Sequence, residues 1–157
     1  MTAPRPRWPD ALADRRAMLD TMFRATPFYE LLGIELVDWG PGWAQLRMDT
    51  EPRHGNLAGS VHGGVTFALA DAAFEVACNA YGRLAVALET ACHYLSAAPL
   101  GTGLSAEATE ISRSARTASY RLEVRDEADG QLRATYLALA YRTSRWHVDA
   151  DGIPEGW

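Results

Sequence analysis

The sequence predicts an α+β fold in which one antiparallel β-sheet wraps around a single long helix, preceded by N-terminal helices. Three observations carry this. The segment 62–81 is apolar nearly all round, with Val65, Leu69, Ala72 and Val76 at helical spacing and Phe67, Ala68, Ala70, Ala73 and Phe74 between them, as in a helix buried on most sides. Two alternating segments precede it and four follow it, an order that excludes a βαβ alternation. Asp129-Gly130, between the last two of these segments, is a hairpin signal.

The elements follow in order. Residues 9–24 read as an amphipathic helix with Leu12, Met18, Leu19, Met22 and Phe23 on one side, and a short helix at 27–32 leads into Gly33. Ile34, Leu36 and Trp39 alternate before Pro41-Gly42, and Ala44, Leu46 and Met48 after it, which is a strand, a turn and a strand. A loop over 51–60 delivers the chain to the long helix, which Gly82 stops. Further strands are predicted near 84–95, 103–112, 115–125 and 131–142. The segment from 143 to 157 carries Trp146 and Trp157 and matches no pattern. The predicted organisation is a helical extension over 1–26, one domain over 27–143 and a tail over 144–157.

Composition narrows the class. The chain has 157 residues, 48% hydrophobic and 22% charged, enough for one well-buried core in a globular domain. A net charge of −5 argues against general nucleic-acid binding, which needs a basic face. No apolar run is long and uncharged enough for a membrane span, since the central helix itself carries Asp71 and Glu75. The N-terminus lacks an unbroken hydrophobic stretch of the signal-peptide type, so a cytoplasmic location is expected. Cys78 and Cys92 stand outside any metal-spaced or CxxC pattern and read as reduced core thiols.

One stretch reads as chemistry, NLAGSVHGGVTFALADAA from Asn56 to Ala73. Asp71 is a carboxylate in the middle of an apolar helix, costly there unless paired or facing a cleft, and so a functional candidate. His62-Gly63-Gly64 sits at the helix start, where backbone N–H groups have no intrahelical partner and glycine allows close approach of a ligand oxygen. A helix start aimed at an oxygen and a carboxylate able to attack or activate water are equipment for acyl transfer or hydrolysis.

Asn56, His62-Gly63-Gly64 and Asp71 at these spacings resemble the PaaI-like acyl-CoA thioesterases of the hotdog superfamily. The similarity continues through LADAAFEVACNAYG, Leu69 to Gly82, and HYLSAAPLGTGLSAEA, His93 to Ala108. The resemblance implies hydrolysis of an acyl-CoA, with an aryl-acetyl group one option, and no cofactor beyond the coenzyme A of the substrate. Asp71 would act as nucleophile or general base, the Gly63 amide as oxyanion donor, His62 as a positioning group and Asn56 as the polar residue orienting substrate or water. Gly64, Glu75, Tyr94, Arg113 and Arg116 are candidate substrate contacts, the two arginines for CoA phosphates near the turn SRSAR. A serine frequent in the family is Ala87 here, its role absent or taken by a neighbour such as Thr90. A non-catalytic acyl-CoA binder and a hotdog hydratase or dehydratase are the competing readings.

His54 reads as a solvated loop residue, and His93 lacks partners for a zinc set, so no metal is expected. Phe67, Phe74, Tyr81 and Tyr94 suit either an aryl pocket or the core. Eight residues at 1.5 Å each place Gly63 and Asp71 about 12 Å apart along one helix, too far for one carbonyl. They would meet only in a two-fold dimer with antiparallel helices and two shared sites, and the resemblance adds that such dimers often pair into tetramers.

Overall fold

The computed structural model describes residues 4–157. After a 3-10 turn at Asp10–Leu12 come α1 (Ala13–Arg24) and α2 (Pro27–Leu32), then strands β1 (Ile34–Gly40) and β2 (Trp43–Asp49). The long helix α3 (Gly63–Asn79) follows, and then β3 (Arg83–Tyr94), β4 (Gly103–Arg113), β5 (Thr117–Asp126) and β6 (Leu132–Trp146). The six strands form one antiparallel sheet in the order β1-β2-β4-β5-β6-β3, so the strand that leaves α3 lies at the far edge.

Strand alternation decides which face covers α3. Leu46 and Met48 of β2, Leu104, Ala106 and Ala108 of β4, Tyr120, Leu122 and Val124 of β5 and Ala134, Tyr136, Ala138 and Ala140 of β6 are all buried on one face. That face is rich in alanine, which leaves room for the bulk of Leu69, Phe74 and Val76 from the helix. The predicted elements appear within a few residues of their expected bounds. Gly82, at φ 80°, takes the left-handed conformation that ends α3, its N–H bonding Asn79 O at 2.9 Å.

The structure departs from the sequence-based expectations in two places. β6 continues past residue 143 to Trp146, and the following tail returns to the body: Trp157 meets Trp8 edge to face at 5.1 Å and Tyr81 at 5.6 Å, while Val148 is buried. Trp8 also donates to Ala80 O at 2.8 Å, so both chain ends close over the C-terminal end of α3. The β5–β6 hairpin forms around Asp129-Gly130, as expected. Asp126 N–H bonds Gln131 O across the loop, in which Gly130 is left-handed and the Asp129 carboxylate accepts from Gln131 N–H. His54 is buried at 4% exposure, because its ring nitrogen Nδ1 accepts from Glu51 N–H and its carbonyl accepts from His62 N–H.

A buried ion pair supports the loop before α3. Arg133 bonds Asp126 at 2.8 Å, Asp129 at 2.9 Å and the Ala97 carbonyl at 3.1 Å. Ala98 in turn accepts from Val61 N–H at 2.9 Å, so the Asn56–Ser60 loop rests on the segment that Arg133 holds. Burial alone would push the Asp126 carboxyl up, but the Ala128 N–H and the Arg133 guanidinium outweigh it and hold it below the usual carboxylate range.

Arg133→Met strands the Asp126 charge in the interior, and we expect a loss of about 3–5 kcal/mol in urea unfolding at neutral pH. Asp126 has a depressed folded pKa, so its stabilisation is present above the unfolded value of about 3.9 and disappears as pH falls through the folded one. The gap between wild type and variant therefore narrows below about pH 4.

Candidate active site

Two cavities border α3, and they divide the candidate residues. Asn56, Gly63 and Tyr94 line one of about 270 Å³, with Ser60, Ser96 and Arg133 beside them. Asp71 and Glu75 line another of about 510 Å³, walled by Phe23 and Phe28 from the N-terminal helices, Phe74 from α3 and residues 84–87 of β3. Among the described residues, neither of these cavities joins Gly63 to Asp71. The helix between them is unbroken, so the eight-residue separation holds them about 12 Å apart along its axis.

The helix start is built by His62, the N-cap residue, whose Nδ1 accepts the Gly64 N–H at 2.9 Å. The Gly64 amide is thereby occupied, which removes it as a donor to substrate. The Gly63 N–H has no protein acceptor among the described residues and is the free donor at the positive end of the helix. Tyr94 seals this corner. Its hydroxyl donates to Gly63 O at 3.0 Å, and a Cβ on Gly63 would lie 3.1 Å from the ring, closer than side chains comfortably pack.

Asn56 spends its amide on its own loop. Oδ1 accepts from Ala58 and Ser60 N–H at 2.9 and 3.1 Å, and Nδ2 donates to Ser60 Oγ at 2.9 Å. It therefore shapes the wall beside Gly63 through the backbone it ties down.

Asp71 has no hydrogen-bond or ionic partner among the described residues and is half-buried. Burial raises its carboxyl above the usual range, and the Glu75 charge one turn away on the same face raises it further. Glu75 itself accepts from the Tyr29 hydroxyl at 2.7 Å. Ala87 lines the Asp71 cavity, and Thr90 is not among its lining residues.

The two arginines stand elsewhere. Arg113 pairs with Glu110 at 3.1 Å, stacks 4.2 Å over the Tyr81 ring and donates to Gly156 O. Arg116 sits in the β4–β5 turn, its carbonyl accepting from Arg142 N–H. Neither lines either cavity, and Arg113 lies near the C-terminal end of α3, over Tyr81. Of the four aromatics at issue, Phe74 lines the Asp71 cavity and Tyr94 the Gly63 cavity, while Phe67 packs on Tyr136 and Tyr81 under Trp157. Asn79 and His147 join the polar lining, and Tyr29 bonds Glu75 beside it, without having been singled out from the sequence. His147 lies in the unassigned tail and carried no signal; Asn79 differs from its apolar helix neighbours and could have been found as Asp71 was.

Because part of the Asp71 shift comes from the neighbouring charge, Glu75→Gln should bring the Asp71 carboxyl pKa down while leaving it above the ordinary value, burial being unchanged. Carbon-13 NMR titration of the Asp71 carboxyl in both proteins checks this.

Comparison with known proteins gives this geometry a family. A family model described as the thioesterase superfamily matches residues 58–132, which include the helix start and Asp71. A relative from Archaeoglobus fulgidus is 37% identical over 125 residues, 80% of each chain. Human acyl-coenzyme A thioesterase 13 is 30% identical over 74% of this chain and 86% of its own. Among solved structures, the Escherichia coli PaaI protein aligns with a TM-score of 0.79 at 27% identity, covering 87% of this chain and 96% of that one. A variant of the phenylacetic acid degradation protein PaaI of Thermus thermophilus is 38% identical with a TM-score of 0.72, over 75% of this chain and all of that one. The sheet, the helix it wraps and these relatives agree: the chain belongs to the thioesterase superfamily, as a PaaI-like enzyme of the hotdog fold.

Proposed function

We propose that this chain hydrolyses acyl-CoA thioesters at a site shared between two copies. The observation that carries this reading is a carboxylate without a partner among the described residues, Asp71, facing a largely apolar cavity on the same helix whose first amide, Gly63, borders a second cavity and has no protein acceptor among the described residues. The relatives named acyl-coenzyme A thioesterase, one human and one from Escherichia coli at 34% identity over 93 residues, support the substrate class.

In the proposed reaction the Gly63 N–H, reinforced by the helix dipole, polarises the thioester carbonyl and holds the oxyanion. Asp71 removes a proton from water as it attacks the acyl carbon, or itself attacks to give an anhydride that water then opens. In either route the C–S bond breaks and the thiolate of coenzyme A leaves. A thiolate needs no strong acid behind it, which suits a site whose helix-start histidine is already occupied as a cap.

The 12 Å between the two groups on one helix favours a two-fold dimer in which Gly63 of one copy serves Asp71 of the other. Strand β3 supports that arrangement. It lies at the sheet edge, forms part of the wall of the Asp71 cavity and exposes Val86 and Leu88, so an uncovered edge of this length favours pairing with another chain. Further pairing into tetramers belongs to the same proposal. The walls of Phe23, Phe28 and Phe74 suit a flat or branched acyl group, an aryl-acetyl group included.

Asp71→Asn keeps the side chain's shape and removes its charge. We expect at least about a hundredfold loss of kcat against acyl-CoA substrates, the scale of losing a principal base or nucleophile, with unchanged circular dichroism. Because Asp71 must be ionised and its pKa is raised, wild-type kcat/KM should fall on the acid side at a pH above the ordinary carboxylate value.

A further inference from the structure

The far end of the Asp71 cavity is polar in one particular sense. Asp71, Glu75 and Asn79 follow at four-residue spacing along α3, so the cavity follows one helix face for about 12 Å. The orientation of Asn79 is fixed by its neighbours: Oδ1 accepts Ala85 N–H at 2.9 Å, and Nδ2 donates to Glu75 O at 2.9 Å and Ala85 O at 3.2 Å. His147 Nε2 lies 2.7 Å from that same Oδ1 and must therefore carry the proton and donate it. In the neutral ring this leaves Nδ1 as a bare acceptor, and it has no partner among the described residues.

Burial depresses the His147 pKa, and the charge of Arg145 adds to this against the opposing pull of Glu75, so the ring is neutral at neutral pH. Glu75 already accepts from the Tyr29 hydroxyl through Oε2, and its other oxygen can only accept as well. Apart from these groups the cavity is walled largely by Phe23, Phe28, Phe74 and Leu84. An acyl group reaching this end meets the unpartnered His147 Nδ1, with the exposed Glu75 carboxylate beside it.

We infer that His147 and Glu75 select acyl groups whose far end carries a hydrogen-bond donor, a hydroxyl or an ammonium, over the same groups ending in methyl. His147 is thus a specificity-determining residue supplied from beyond the segment that matches the family, residues 58–132. The inference rests on the thioesterase reading above and names the feature of the substrate that the site recognises.

The test uses matched acyl-CoA series of graded length, ending in methyl, hydroxyl or ammonium, with kcat/KM and calorimetric affinity measured for wild type, His147→Leu and His147→Gln. At the length that spans the cavity, wild type should favour a donor-ended member by about tenfold or more, the scale of one hydrogen bond to a group otherwise left unpaired. The hydroxyl and ammonium arms report which donor is preferred. His147→Leu should bring the donor-to-methyl ratio close to one, and His147→Gln, which restores an acceptor, should recover part of it. Equal affinities and equal rates across the series in wild type, or an unchanged ratio in folded His147→Leu, overturns the inference. Donor-selective binding without hydrolysis of any member would leave the selectivity standing and overturn the hydrolase reading instead.

Discussion

One helix seated in the concave face of one sheet sets the terms for the rest of this molecule. Helix α3 is buried along most of its length by Leu69, Ala73, Phe74, Val76 and Ala77, and the alanines of β4, β5 and β6 beneath it leave room for that bulk. Once seated, it fixes two things at once. Its first amide, at Gly63, is held at one end with nothing inside the helix to bond, and its carboxylate, at Asp71, is held two turns along at the rim of a different cavity. A helix cannot bend these groups together, so the separation that packing imposes becomes a requirement for a second chain in the proposed reaction.

The same seating tunes the carboxylate. Asp71 and Glu75 share a helix face because apolar residues occupy the remaining positions, and the cavity between α3, the N-terminal helices and β3 removes much of the water around Asp71 while Glu75 stays exposed. Burial and like charge both act in the direction of a more basic carboxylate, while Tyr29 takes up one oxygen of Glu75 and none of Asp71. Two acids on one stripe are thereby made unequal. Asp71 keeps both oxygens without a partner among the described residues, as the proposed reaction needs, and Glu75 is tied to Tyr29.

Much of this was legible in the sequence because it is local. Period-two alternation placed the strands, the apolar run placed α3, and the isolated charge picked out Asp71 within it. The hidden parts depend on contacts between distant segments. Nothing in the sequence around His54 signals that its ring would fold back on Glu51, and nothing in residues 143–157 signals that Trp157 would pack on Trp8 and Tyr81. His147 reaches Asn79 across 68 positions, a pairing that only the completed sheet creates. The arginines of the SRSAR turn come forward through the family resemblance alone, and the pairing of Arg113 with Glu110 and the Tyr81 ring is a contact that local sequence does not reveal.

The central claim, that one active site takes its oxyanion donor and its carboxylate from different chains, is open to subunit mixing. Asn56→Ala disables the loop beside Gly63, and Asp71→Asn disables the helix. A mixed dimer would combine the intact loop of the second variant with the intact Asp71 of the first in one site, and both lesions in the other. With free exchange half the dimers are mixed, so the mixture should recover about a quarter of wild-type thioesterase activity from two nearly inactive parents. A mixture that stays as inactive as its parents, with exchange demonstrated by native mass spectrometry, would contradict the account and place both groups at a site within one chain.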